Sequence, residues 1–145
     1  MQRTKTLKLV LGLAGLAPAL AAHANETAET ESCATVEVHG VRPQQGFLMV
    51  AAYADAASFG SKPIAQKRLP AGDATMSFAF CGLGAGPVAL TMYQDLDGDG
   101  QMGRNLLGMP TEPWGATGHP GSFGPAWETT QVALDGKPLL VQLSQ

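Results

Sequence analysis

From Met76 to Phe80 a large apolar side chain falls on every second residue, with Ser77 and Ala79 between, and the pattern returns in Val88, Leu90 and Met92. Only an extended backbone puts alternate side chains on one face, so these stretches predict half-buried strands. Between them Cys81-Gly82-Leu83-Gly84-Ala85-Gly86-Pro87 is turn chemistry. The same alternation or short apolar runs occur at residues 36–41, 47–53, 64–69, 131–134 and 139–143, and none of the chain shows the 3.6-residue period of an amphipathic helix. About seven short strands separated by Gly and Pro predict an all-β fold: an antiparallel β-sandwich, immunoglobulin-like or transthyretin-like. The expected core is Val36, Val38, Leu48, Val50, Phe78, Phe80, Val88, Leu90, Val132, Leu134, Val141 and Leu143.

Local spacing also suggests which strands pair. Arg42-Pro43-Gln44-Gln45-Gly46 between the first two strands predicts a hairpin, and Asp135-Gly136 predicts another between residues 131–134 and the last strand. Residues 55–63 form a loop whose one large apolar residue, Phe59, is expected to fold back on the core. Residues 108–125 are too broken by Gly and Pro for helix, yet hold Trp114, His119 and Phe123, with Trp127 just beyond. A long loop that rich in aromatics is expected to be ordered.

Before this domain, Arg3, Lys5 and Lys8 precede an uncharged run from residue 9 to 22 that ends Ala22-His23-Ala24. That is the pattern of a secretory signal peptide, residues 1–24, cleaved before Asn25. The run is shorter than the roughly 20 residues that span a bilayer, so no membrane span is expected. Residues 25–32, with Glu26, Glu29 and Glu31, read as a flexible acidic tail, and residues 33–145 as a single domain. Cleavage leaves six basic residues against twelve acidic ones, a net charge of −6. Without a basic patch, nucleic acid is excluded as a partner class. The only two cysteines, Cys33 and Cys81, lack Cys-x-x-Cys spacing, and in a periplasmic or secreted protein they predict one structural disulfide.

Asp95-Leu96-Asp97-Gly98-Asp99-Gly100 is the stretch with chemistry in it. Carboxylates at alternate positions, with glycine at the sixth, match the opening of a calcium loop, whose side chains converge on one hard cation. The carbonyl of Gln101 and the amide of Asn105 complete the candidate ligand set, because Leu106 stands where a bidentate Glu would close the shell. The competing reading is a metal-free turn, since Asp and Gly suit such turns without any ion.

Other site classes have less behind them. The aromatics Trp114, Phe123 and Trp127, with His119, make a candidate surface for a protein or carbohydrate ligand, or they close one end of the core. A small periplasmic enzyme would use His119 as general base with Asp95 or Glu112, but no nucleophile elbow, zinc-type His pair or phosphate loop accompanies it. A soft-metal copper site would draw on Met102, Met109 and His119. The expected function is therefore a non-enzymatic binding or structural module with an acidic loop.

The run Tyr93-Gln94-Asp95-Leu96-Asp97-Gly98-Asp99-Gly100, followed by Asn105-Leu106-Leu107-Gly108-Met109-Pro110-Thr111-Glu112-Pro113-Trp114-Gly115, resembles the signature of the bacterial exported family called domain of unknown function 2141. Phe123-Gly124-Pro125-Ala126-Trp127-Glu128 is similar to a later stretch of that family, and Val36-Glu37-Val38-His39-Gly40-Val41 with Gly46-Phe47-Leu48-Met49-Val50 to its opening strands. The resemblance implies architecture and an exported location and assigns no activity. Gly103 stands where the family pattern offers an Asp, and Ala116-Thr117-Gly118 replaces its Phe-Ser-Asn, which removes one loop carboxylate.

Overall fold

A computed structural model describes residues 32–121 and 124–144. The expected signal peptide, the acidic tail up to Glu31 and the candidate Phe123 lie outside the described residues. Among the described residues seven strands form in order: β1 (Ala34–His39), β2 (Phe47–Tyr53), β3 (Ala65–Pro70), β4 (Thr75–Phe80), β5 (Ala89–Asp95), β6 (Trp114–Ala116) and β7 (Leu139–Gln142), with one short helix, α1 (Trp127–Thr130), between the last two. They make two sheets, β4-β1-β7 and β3-β2-β5-β6. Their inner faces supply one core that includes Val36, Val38, Leu48, Val50, Leu90, Met92 and Val141. This is the expected β-sandwich.

The pairing differs from the expected hairpins. β1 and β2 lie in different sheets, because the segment between them crosses the sandwich; β1 pairs instead with β4, and β2 with β3 and β5. The crossing is held by a second one. Val41 N–H donates to Ala74 O, Gln44 N–H to Gly72 O and Ala71 N–H to Gly46 O, so the two connections between the sheets satisfy each other's backbone. Residues 131–134 do not form a strand; only Val132 pairs, in a single bridge to Val88, and β7 runs parallel to β1 rather than folding back on that stretch. One pairing in the sandwich is therefore parallel.

The sandwich is nearly closed on one side, where Trp114 on β6 and Ser144 after β7 exchange two backbone hydrogen bonds. On the other side β3 and β4 leave a seam. Lys67 spans it, its Nζ donating to Ala79 O at 2.8 Å beside the Phe78 ring. Phe78, Val132 and Leu134, expected inside, are only partly buried and pack against the core from its rim, while Phe80 is buried. Cys33 and Cys81 form the expected disulfide just outside the pair Ala34 and Phe80, and so clamp the open end of the β1–β4 ladder.

The outer face of the four-stranded sheet is roofed at one end. Phe59 packs on Tyr53 with ring centroids 5.1 Å apart, and Trp127 on Phe59 at 6.3 Å. Thr117 locks α1 to β5 by accepting from Leu90 N–H and donating to Thr130 O. This cover explains why Ala89 and Leu90, neighbours on opposite faces of β5, are both fully buried.

Candidate functional site

β5 delivers Asp95 to the end of the sheet, and there the carboxylate turns into its own loop. Asp95 is fully buried. Its Oδ1 accepts from Gly98 N–H at 2.8 Å and its Oδ2 from Gly100 N–H at 3.0 Å. Gly98 and Gly100 have φ of +80° and +78°, the left-handed region that glycine enters without strain, and this coils the backbone around the carboxylate. Asp97 accepts from Asp99 N–H at 3.1 Å and Asp99 from Gln101 N–H at 2.7 Å, two consecutive Asx turns. One carboxylate oxygen from each of Asp95, Asp97 and Asp99 lies within 4.8 Å of the others, with Asp97 and Asp99 exposed. Asp97 and Asp99 thus have oxygens free to face a cation.

Glu112 was legible in the sequence only as a possible partner of His119; it is the second buried acid of the site. Its Oε1 accepts from Leu96 N–H at 2.7 Å and its Oε2 from Gly103 N–H at 2.9 Å, so one side chain ties both stems of the acidic loop together. The sequence signal was an acid held between Thr111 and Pro113 with no basic neighbour. Gly103 lies against this clamp. A Cβ there would sit 2.7 Å from the Thr111 hydroxyl.

Tyr93 closes the other flank by donating its hydroxyl to Gly100 O at 2.8 Å. Burial, followed by the negative charges of Asp95, Glu112 and Asp99, raises its pKa above the ordinary phenol value, so the neutral donor is the form this site keeps.

The other expected site residues fall elsewhere. Asn105 spends its amide oxygen on Leu107 N–H and Met109 N–H, shaping a separate turn whose Arg104 donates to Gly108 O. That turn presents Leu106 and Leu107 almost wholly to solvent, with Met109 also exposed, while Met102 is half-buried. Gln101 is exposed beside the acidic loop. Trp114 is half-buried on β6, opposite Tyr93, whereas Trp127 belongs to the roof over Tyr53, so the two indoles sit in different settings. His119 is exposed, with its backbone N–H bonded to Thr129 O. Among the described residues no side-chain hydrogen bond joins His119 to Asp95 or Glu112, whose oxygens accept backbone N–H groups of the loop.

Fold and site together define a disulfide-stapled β-sandwich with a preshaped acidic loop at the end of an interior strand. The chain belongs to a bacterial family: residues 36–142 match the family described as an uncharacterized protein conserved in bacteria (DUF2141). No curated protein and no solved structure matches the chain. Among the described residues no helix is long and apolar enough to cross a membrane.

Proposed function

We propose that this protein is an exported, non-enzymatic binding module whose Asp95, Asp97 and Asp99 loop takes calcium, in the periplasm or outside the cell. The convergence of the three carboxylates carries this reading. A cation would meet an all-oxygen set, which suits calcium, in a loop already coiled by the bonds to Gly98 and Gly100. The Gln101 carbonyl and water would fill the shell. Asn105 is a weaker candidate because its oxygen already holds two N–H groups. Export is supported by the leader-like start of the sequence and by the disulfide. A ligand for the module is a protein surface or a carbohydrate.

Lacking the bidentate Glu, the loop should bind in the extracellular range of about 0.1 to 1 mM. The test is thermal. Calcium at tenfold its Kd stabilises the folded state by about 1.4 kcal/mol, and magnesium by less because it gives up water reluctantly. Replacing both Asp97 and Asp99 by Asn removes that gain while leaving the metal-free midpoint in place, since Asn keeps the turn bonds. A calcium shift that is absent, or equal in wild type and double variant, makes the loop a turn and nothing more.

A further inference from the structure

We propose that the outer face of the four-stranded sheet binds neutral oligosaccharides, in the groove whose floor is Ala51 and Thr91. The groove exists because two short side chains stand side by side as cross-strand partners while taller ones rise around them. Tyr53 and its aromatic roof close one end. Met49 and Tyr93 stand in the next row, and Gln66 and Arg68 on β3 form the side wall. The cavity is open to solvent and measures about 560 Å³, within the range of about 300–1,000 Å³ usual for small-molecule sites.

Chemistry narrows the occupant. The Gln66 amide and Thr91 hydroxyl make no hydrogen bond to the described residues, and Arg68 has no carboxylate partner among them. Arg68 lies 3.3 Å over the Phe47 ring, which fixes its plane and leaves the edges of its fork for a ligand. A planar guanidinium beside a planar amide offers paired hydrogen bonds, the pattern that adjacent hydroxyls of a sugar accept and donate. The C–H faces of the sugar ring meet Met49, Ala51 and the Tyr93 ring.

Charge disfavours extended ionic ligands of either sign. Arg68 lines one wall beside Lys67, whose ammonium turns away to Ala79 O, while the far end abuts Gly100, in the loop that carries Asp97 and Asp99. An anionic chain extending past Gly100 meets the acidic loop and a cationic one meets Arg68, so a neutral polyol is the class that meets no like charge. The Tyr93 bond to Gly100 holds this end of the groove in shape before any ligand arrives. Binding of a neutral sugar needs no calcium, so the two readings separate when that binding is measured in calcium and again in chelator.

The experiment is an NMR titration of the purified protein with cellotetraose, maltotetraose and mannotetraose, with oligogalacturonate and chitosan tetramer as anionic and cationic comparators. At least one neutral sugar shifts the amides of Ala51, Gln66, Thr91 and Tyr93 saturably, in calcium and in chelator. Ala51→Tyr, which fills the floor, weakens that binding by about tenfold or more, and Gln66→Ala, at an exposed position, by roughly threefold to tenfold. Should Ala51→Tyr fail to fold, Gln66→Ala decides alone. The proposal is overturned if no neutral sugar shifts these amides, if the shifts lie elsewhere, if the folded variants bind like wild type, or if a charged comparator binds more tightly.

Discussion

The Gln94 side chain pairs with both backbone groups of Arg42: its Oε1 accepts from Arg42 N–H and its Nε2 donates to Arg42 O, each at 2.8 Å. The same Nε2 also reaches Gln45 O at 2.6 Å. Gln94 is fully buried on β5, next to Asp95, so one amide fastens the crossing between the sheets to the strand that carries the acidic loop. The approach is close enough that Gly46, at φ +62°, has no room for a side chain, since a Cβ there would overlap Asp95 O.

Gln94→Leu keeps the volume and removes all three hydrogen bonds. The bonds are part-buried, so at about 0.5–1.5 kcal/mol net for each of the three lost, the variant should lose about 2–4 kcal/mol in urea denaturation with an unchanged slope. A loss below about 1 kcal/mol would mean that water replaces the amide without cost.

Glu112→Gln tests the clamp across the loop stems. The carboxylate accepts two backbone N–H groups, one on each oxygen, and an amide must turn its own NH2 toward one of them. The expected cost is about 1–3 kcal/mol, whereas Asp97→Asn, exposed and in an Asx turn, should stay within about 0.5 kcal/mol. Equal costs at the two positions would remove Glu112 from its structural role.

The disulfide gives a third expectation. Thiol labelling of the unfolded, unreduced protein should find no free thiol, and replacing both cysteines by Ser should lower stability on the order of 3–4 kcal/mol for a bridge spanning 48 residues. Two labelled thiols would show that the bridge is not formed in the purified protein.

Much of the sandwich is written in local pattern, and its wiring is not. β2 matches the apolar run at residues 47–53, and β4 falls within a residue of its alternating stretch, because period two is a property of each strand by itself. A hairpin turn and a crossing look alike in sequence when both are short and rich in Gly. What separates them here is the contact of the 40–46 segment with the 71–74 segment and with Gln94, which no local pattern records. β6 is only Trp-Gly-Ala and has no periodicity; it is a strand because β5 and Ser144 lie on either side of it. In the acidic loop the Asx turns were legible from Asp and Gly spacing. The Glu112 clamp was not, because it reaches back 16 residues to Leu96.

The parallel pairing of β7 with β1 bears on the order in which this molecule can assemble. Val36 and Val38 lie beside Leu139 and Val141, so the middle strand of the smaller sheet lacks one neighbour until residues 139–142 arrive. The β2–β3 and β2–β5 pairings close over much shorter stretches of chain, so they can form while the first strand waits for its other neighbour. The smaller sheet is complete only once residues 139–142 are in place, and a chain cut short of Leu139 has its first strand open along one edge.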